Sequence, residues 1–218
     1  MQAIKHAVIS AAGIGSRLEL NKPKCLVDFG EKKLIDYILD LLRDVEDVRV
    51  VVGFMEEDVI KYIRNIRDDV LFVRNNNYIN TTNAHSVFLG TKGLIEPYLI
   101  IDGDLIINPS SFKSFIKKCK NQTLIGITKK KTEEAVSVKI KSNKITEFIN
   151  NKSNMEYEWS GIAYLKDIKI NSNGGFVFKE LEKHLPLQSF IIDCFEIDTP
   201  EDLKNATEYC KTFLSNIS

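Results

Sequence analysis

The sequence has no excess of charge of either sign, because 30 lysine and arginine residues balance 30 aspartate and glutamate residues. A chain without net charge creates no global field that attracts nucleic acid or an anionic membrane. It also has no apolar run near the roughly 20 residues that a membrane-spanning helix needs. We therefore expect no nucleic-acid partner and no membrane span, and an anionic ligand must be held by a local site.

Cysteine and histidine are scarce and scattered. The four cysteines are Cys25, Cys119, Cys194 and Cys210; they form no CxxC pair, and the three histidines are not at zinc-ligand spacing from them. Free, mostly buried thiols fit a reducing compartment, and the first residues do not read as a basic and apolar leader. We expect a cytoplasmic protein without disulfides or a zinc centre.

The first 120 residues alternate short apolar runs with amphipathic segments. Strands are predicted at residues 4–10, 48–52, 70–74 and 97–101, and helices at 33–43, 56–65, 84–93 and 109–120, with Gly93 as the C-cap of the third helix. This alternation predicts right-handed crossovers between parallel strands and helices on both faces of the sheet.

The pattern changes after residue 121. Closely spaced strands are predicted at 124–129, 135–140, 144–149, 158–165 and 190–197, with a hairpin turn at Ser142-Asn143 and helices at 175–184 and 199–214. We predict one α/β domain over residues 1–218 with a Rossmann-like three-layer αβα architecture and a mostly parallel central sheet. Residues 1–120 would form one half, 121–198 a small β-rich lid and 199–218 a C-terminal helix.

A glycine-rich loop follows the first predicted strand directly. Its residues are Ala11, Ala12, Gly13, Ile14, Gly15, Ser16 and Arg17. Small residues let backbone N–H groups approach a phosphate chain, and Arg17 adds a permanently charged planar fork. Residue 18 is Leu18, so the third glycine of a dinucleotide fingerprint is missing. The loop predicts a phosphate site, with a tightly packed structural turn as the alternative.

Two acidic residues end the fourth predicted strand, in the segment Asp102-Gly103-Asp104. The carboxyl ends of parallel strands are where open α/β sheets bind ligands. Mg²⁺ prefers one or two carboxylates together with phosphate oxygens. A magnesium site is therefore predicted beside the phosphate loop, with a solvated acidic turn as the alternative.

Lys24 follows the loop at a defined spacing. The pattern Gly13-x-Gly15-x-Arg17, five residues, then Pro23-Lys24 continues into Leu-Val-Asp-Phe-Gly at 26–30, and Ile-Asp-Thr-Pro-Glu-Asp-Leu occurs at 197–203. This combination resembles the nucleotide-diphospho-sugar transferase-like, or MobA-like, nucleotidyltransferases. The Thr-Thr-Asn triplet at 81–83 and the short gap before Pro23 resemble the compact cytidylyltransferases of the phosphocholine and 2-aminoethylphosphonate type.

The resemblance implies a reaction and a set of site residues. CTP would be coupled to a small phosphorylated or phosphonate acceptor with release of pyrophosphate, for surface polysaccharide or lipid decoration. Arg17 and Lys24 would be catalytic, and Asp104 and Asp198 would hold Mg²⁺. The nucleotide would contact Ala11, Ala12, Gly13, Gly15, Ser16, Arg17, Gly53, Asn83, Ser86 and Asp102, and the acceptor Lys24, Glu158, Trp159 and Gly161.

Some roles stay open at this stage. Trp159 stands among acidic residues, which suits a cationic head group by cation–π attraction, although a tryptophan packed in the core is the common outcome. Asn83 and its neighbours could simply cap the following helix. A sugar-1-phosphate nucleotidyltransferase is the nearest alternative; a dinucleotide-dependent oxidoreductase and a non-catalytic nucleotide sensor are the others. A homodimer is among the expected assembly states.

Overall fold

The structure, a computed structural model, describes residues 4–18, 20–131, 135–150, 154–172 and 175–214. Parts of the predicted lid (132–134, 151–153, 173–174) and of the predicted C-terminal segment (215–218) lie outside these residues. The strands are β1 (His6–Ala11), β2 (Asp28–Phe29), β3 (Lys32–Lys33), β4 (Asp47–Val52), β5 (Leu71–Arg74), β6 (Tyr98–Asp102), β7 (Leu105–Ile107), β8 (Leu124–Lys129), β9 (Ser137–Lys141), β10 (Lys144–Ile149), β11 (Tyr157–Leu165), β12 (Leu187–Ile191) and β13 (Cys194–Glu196). The α-helices are α1 (Leu34–Leu41), α2 (Glu56–Arg64), α3 (Asn83–Thr91), α4 (Pro109–Lys118), α5 (Val177–Glu182) and α6 (Pro200–Leu214), and short 3-10 turns lie at Ser16–Leu18 and Lys24–Leu26.

A nine-stranded sheet in the order β5-β4-β1-β6-β11-β8-β12-β10-β9 forms the centre of the fold. Strands β5, β4, β1 and β6 are parallel, as the alternation predicted. Strand β11 then runs antiparallel to β6 and β8, while β12 is parallel to β8. Strands β10 and β9 add antiparallel pairs. The sheet is therefore mixed rather than mostly parallel, because β11 and β10 run antiparallel to their neighbours.

Helices cover both faces of this sheet. In β1, Ala7 and Ile9 pack into a core with α1, α2 and α4, whereas Val8 packs into a second core with α3 and α5. Successive side chains of a strand point to opposite faces, so one apolar strand contributes to two cores. The predicted Rossmann-like three-layer architecture is confirmed.

Most local predictions hold within a few residues. Ser142 and Asn143 have φ values of 50° and 61° and join β9 to β10 as an antiparallel hairpin; two consecutive positive φ angles suit the twist of such a turn. Helix α3 ends earlier than predicted: Lys92 is its C-cap, and Gly93 follows with φ of 82°. All four cysteines are free and buried, as expected.

The single strand predicted at 190–197 is wrong, because the chain forms two strands there. Strand β12 belongs to the main sheet, and β13 pairs with β7 in a separate two-stranded ribbon. The break falls at Asp193, whose N–H donates to Ser111 Oγ at 2.9 Å and whose carbonyl accepts from Asn108 N at 2.9 Å. These bonds to the start of α4 take the backbone groups that would continue the sheet ladder.

A small apolar cluster joins the glycine-rich loop to the ribbon. Leu18 follows the loop, Ile106 and Ile197 lie on or beside the ribbon, and Ala206 belongs to α6; all four are buried together. This packing holds the end of the glycine-rich loop, the ribbon and α6 against one another. Among the described helices, none combines the length and apolarity needed to cross a bilayer.

Candidate active site

A cleft of about 840 Å³ opens where β1 and β6 end. Ser10 and Asp102 are register partners on these parallel strands, so the segments that follow them meet at one edge of the sheet. The predicted site residues that line the cleft are Ala11, Ala12, Gly13, Gly15, Ser16, Arg17, Lys24, Asn83, Ser86, Asp102, Asp104, Trp159, Gly161 and Asp198. The predicted residues Gly53 and Glu158 do not line it.

The glycine-rich loop is shaped so that Lys24 can enter the cleft. Gly15 has φ of 65°, and a Cβ on it would lie 3.0 Å from Lys24 Cβ. Glycine meets both requirements, since it adopts positive φ without penalty and leaves this space free. The N–H of Gly103 donates to the Ser10 carbonyl at 2.9 Å, which joins the end of β1, just before the loop, to the turn after β6. The contact between Gly15 and Lys24 is a physical reason for their spacing.

Two cations meet two carboxylates at the centre of the cleft. Lys24 Nζ lies 2.5 Å from Asp104 Oδ2 and also bonds Asp198 Oδ1. Arg17 Nη2 lies 2.7 Å from Asp198 Oδ2. The Lys24 side chain is 13% exposed and that of Arg17 is 56% exposed. Lys24 is therefore held by its surroundings, whereas Arg17 reaches across from the rim.

The ribbon of β7 and β13 sets the spacing of the carboxylates. Ile197 N donates to the Asp104 carbonyl at 3.0 Å, directly beyond the register pair of Glu196 and Leu105. Asp202, in the first turn of α6, accepts hydrogen bonds from the N–H groups of Asp198 (3.2 Å) and of the residue after it (2.8 Å). Both flanks of Asp198 are thus fixed by backbone hydrogen bonds.

Glu196 is a third carboxylate at this centre, and sequence reasoning missed it. Oxygens of Asp104, Glu196 and Asp198 lie within 4.8 Å of one another. Glu196 lies two residues before Asp198 with the buried Ile197 between them. Alternation along an extended segment places residues two apart on one side, and that signal could have identified Glu196.

Burial and neighbouring charges shift the pKa values in the cleft. Burial, with the adjacent Asp104 carboxylate, raises the pKa of Asp102 to about 8. The Glu196 residue as a whole is exposed, but its carboxyl group is partly desolvated by the surrounding protein. This desolvation, together with the charges of Asp104 and Asp198, raises its pKa well above its ordinary value. Burial alone would lower the pKa of Lys24, yet the carboxylates raise it above its ordinary value. The carboxylates crowd one another and favour an added cation.

The donor set fits Mg²⁺. Asp104 Oδ1 is buried and has no hydrogen-bond partner among the described residues. Carboxylate oxygens are hard ligands of the type that Mg²⁺ prefers, and its remaining positions are usually filled by phosphate oxygens and water. The structure thus brings together the two predicted ligands, Asp104 and Asp198, and adds Glu196.

Polar residues form the wall beside α3. Asn75 is 1% exposed, and its Nδ2 donates to Thr81 Oγ1 at 3.0 Å and to Ser86 Oγ at 3.1 Å. Ser86 is therefore held by an asparagine that the sequence did not single out. Tyr78 lines the same wall, and its ring lies 6.3 Å from that of Phe54, centroid to centroid.

Gly53 lies behind this wall instead of on it. A Cβ at Gly53 would lie 2.8 Å from the Ala12 carbonyl oxygen and 2.8 Å from Tyr78 Cβ. Its neighbour Phe54 donates from N–H to the same carbonyl at 3.1 Å. Gly53 does not line the cleft but permits two cleft-lining residues to approach each other, and its predicted contact with the nucleotide stays a prediction.

Asn83 and Thr82 connect the two halves of the cleft. Asn83 Oδ1 accepts from Val177 N at 3.1 Å, and the Thr82 hydroxyl donates to the Gly175 carbonyl. Thr82 is the N-cap residue of α3 but makes no side-chain cap bond. These contacts hold the segment that carries Phe176, a cleft-lining residue. The side-chain oxygen of Asn83 is thus engaged by the protein, and its contact with a base stays a prediction.

Strand β11, from the second half of the chain, forms another wall of the cleft. Trp159 and Gly161 line the cleft, whereas Glu158 is 7% exposed and does not line it. Neighbouring residues of a strand face opposite sides, which explains why Trp159 lines the cleft and Glu158 does not. Glu158 Oε2 instead accepts from Lys131 N at 3.2 Å, and Lys131 lines the cleft. Stacked rings of Phe176 and Phe178 extend the aromatic surface.

Replacing Gly161 with alanine is expected to lower the free energy of unfolding more than the same change at Gly93. Both glycines have positive φ, 75° and 82°, which disfavours alanine by ~1–2 kcal/mol. A Cβ on Gly161 would also lie 2.9 Å from Asp102 Oδ2, whereas one on Gly93 would meet nothing within 4 Å. Chemical denaturation of both variants measures the difference; equal losses would contradict a tight contact between Gly161 and Asp102.

The chain is similar to known nucleotidyltransferases. It is 32% identical over 113 residues to the choline-phosphate cytidylyltransferase of Streptococcus pneumoniae, covering 50% of this chain and 48% of that protein. It is 38% identical over 96 residues to the CTP:phosphoglutamine cytidylyltransferase of Campylobacter jejuni, covering 42% and 38%. The matches thus span less than half the length of these curated relatives.

Structural comparison agrees with the sequence matches. The inositol-1-phosphate CTP transferase from T. maritima superposes with a TM-score of 0.78 at 22% identity, covering 94% of both chains. At this identity the likeness establishes the Rossmann-like α/β fold. The family model described as the MobA-like NTP transferase domain matches residues 7–149. Since that match covers more than half of the sequence, the chain belongs to the MobA-like NTP transferase family.

Proposed function

We propose that the cleft binds a nucleoside triphosphate, with CTP favoured, and transfers its nucleotidyl group to a small phosphorylated or phosphonate acceptor. The observation that carries this proposal is the meeting of Arg17 and Lys24 with three carboxylates beside the glycine-rich loop. CTP is favoured because the two curated relatives are cytidylyltransferases by name. The phosphate-bearing acceptors in those names support the acceptor class.

The reaction forms one P–O bond and breaks another. An acceptor phosphate oxygen attacks the α-phosphorus, the bond from that phosphorus to the oxygen bridging to the β-phosphate breaks, and pyrophosphate leaves. A phosphate oxygen is ionised near neutral pH, so no general base is needed, and His85 does not line the cleft. Cys25 lines it, but burial raises the pKa of that thiol to about 12, which keeps it protonated.

The residues of the chain act by positioning and charge. The loop from Ala11 to Ser16 receives the triphosphate with backbone N–H groups, and Arg17 and Lys24 stabilise the extra negative charge at the pentacoordinate phosphorus. Asp104, Glu196 and Asp198 would hold Mg²⁺, which supplies Lewis-acid charge neutralisation when bound. Fixed charges in a partly dry cleft stabilise the transition state more than the ground state.

A matrix of substrates tests the proposal. Each of CTP, UTP, GTP and ATP is combined with phosphocholine, 2-aminoethylphosphonate, phosphoglutamine, inositol 1-phosphate and glucose 1-phosphate in the presence of Mg²⁺. We expect pyrophosphate release with CTP to exceed that with the other nucleotides at least ~10-fold in kcat/KM. Phosphorus NMR identifies the product, and reactions without acceptor are the control. No release with any pair would contradict the proposal, and a preference for glucose 1-phosphate would instead support a sugar-1-phosphate nucleotidyltransferase.

A further inference from the structure

We propose that Lys131 binds the phosphate or phosphonate group of the acceptor, and that Glu158 and Thr128 position it for this task. The inference rests on the proposed function and adds a residue to it. Lys131 follows β8 and lines the same cleft as the loop and the carboxylates. Sequence reasoning assigned it no role.

The charges of the cleft single out Lys131. Among the described residues, three cationic side chains line the cleft: Arg17, Lys24 and Lys131. The first two contact Asp198, and Lys24 also contacts Asp104. Lys131 Nζ instead contacts the Thr128 hydroxyl at 2.8 Å and the Lys129 carbonyl at 3.3 Å. In the part of the chain that the structure describes, no carboxylate forms an ion pair with Lys131 Nζ, and this ammonium group belongs to a residue that lines the cleft.

Lys131 is held in place at both ends. Its N–H donates to Glu158 Oε2, and its Nζ donates to Thr128 Oγ1. Glu158 and Thr128 are register partners on β11 and β8 and are 7% and 5% exposed. Buried polar groups of this kind persist where hydrogen bonds satisfy them. Both ends of the lysine are therefore anchored to the sheet.

The position also relates Lys131 to the reacting centre. Its Nζ lies 5.0 Å from the centroid of the Phe195 ring, and Phe195 directly precedes Glu196 on β13. A cation over an aromatic face is attracted by the ring without being neutralised by an opposite charge. Lys131 thus contacts the ribbon through Phe195 on β13 and contacts β11, the strand of Trp159, through Glu158.

The proposed reaction brings the triphosphate and the acceptor phosphate together, and the Lys131 ammonium can reduce the repulsion between them. The triphosphate approaches the loop with Arg17 and Lys24, while the acceptor phosphate must enter against the negative charge of both the nucleotide and the carboxylates. The Lys131 ammonium, on the side of the cleft formed by β11, offsets this repulsion. Because Lys131 lies on the side of Trp159 and outside the glycine-rich loop, we assign it to the acceptor and not to the triphosphate.

Kinetics of Lys131→Gln test the assignment, with Lys129→Gln as the matched control on an exposed lysine that does not line the cleft. We expect the KM for phosphocholine, with CTP saturating, to rise ~10–100-fold in Lys131→Gln, while the KM for CTP stays within about twofold of wild type. Lys131→Arg keeps the charge, so its KM for phosphocholine should fall between those of wild type and Lys131→Gln. An increased KM for CTP with an unchanged KM for phosphocholine would overturn the assignment.

A binding measurement separates this inference from the proposed function. Phosphocholine and inorganic phosphate are titrated separately into wild type and Lys131→Gln without nucleotide, followed by phosphorus NMR. Weaker binding to the variant supports the role of Lys131 even if turnover fails with every acceptor; equal binding, or none to either protein, overturns it. Glu158→Ala removes the hydrogen-bond acceptor of Lys131 N–H and should raise the KM for phosphocholine. Glu158→Gln keeps a side-chain oxygen for that bond, so its KM should stay close to that of wild type. Equal effects of both Glu158 variants would contradict its positioning role.

Discussion

Lys24→Gln is expected to lower kcat for pyrophosphate release by ~10²–10³-fold, a typical effect of losing one preorganised donor at a developing charge. Lys24 is 13% exposed at its side chain and contacts Asp104 and Asp198 together. Glutamine preserves much of the length but removes the charge, so Asp104 would lose the ammonium that contacts it and the triphosphate would meet a more negative centre. Steady-state kinetics with CTP and the acceptor found in the substrate matrix measure the effect.

Lys22→Gln is the control for this substitution. Lys22 is near in sequence and pairs with Asp28 at 3.1 Å, but its side chain is 40% exposed and does not line the cleft. We expect its kcat to stay within about twofold of wild type, because exposed pairs contribute little. If Lys24→Gln also retains turnover within a few-fold, Lys24 does not stabilise the transition state.

Asp198→Asn should produce a loss of similar size for a different reason. Asp198 joins Arg17 to Lys24 and belongs to the group of three carboxylates. The amide keeps the shape but removes a charge that would hold Mg²⁺, and metal coordination contributes several kcal/mol to charge stabilisation in such reactions. We expect kcat to fall ~10²–10³-fold and the Mg²⁺ concentration for half-maximal rate to rise. Rate measurements over a magnesium series provide both values.

The fold should survive this change, which keeps the result interpretable. The backbone on both sides of Asp198 is held by Asp202 and by the ribbon bond to Asp104. Glu208→Gln, an acid-to-amide change on an exposed part of α6, is the matched control. An unchanged magnesium requirement in Asp198→Asn, with a normal kcat, would remove Asp198 from the proposed metal site.

Local sequence signals were sufficient for most of the elements and for the loop. The apolar strands β1, β4 and β6 and the glycines of the loop are defined by residues close together in the chain. The spacing from Gly15 to Lys24 is also local, and the structure gives it a steric cause. These features depend little on the rest of the fold, which is why one sequence suffices to predict them.

Other features depend on residues that are distant in the chain. The break at Asp193 results from hydrogen bonds to Asn108 and Ser111, which a continuous apolar run does not reveal. Asn83 bonds Val177, 94 positions later. The single strand predicted at 190–197 is wrong because hydrogen bonds to a distant segment interrupt it.

The two-stranded ribbon has a consequence for changing the substrate range. Asp104 and Glu196 are spaced by the pairing of β7 with β13, which is separate from the nine-stranded sheet. The surface around Trp159 is instead built from β11 and from the segments that carry Val136 and Phe176. If the proposed acceptor site is correct, we expect libraries varied at Val136 and Phe176 to change the acceptor preference while the spacing of Asp104 and Glu196 is kept. The side chains at these two positions can thus be changed separately from the strand pairing that spaces Asp104 and Glu196.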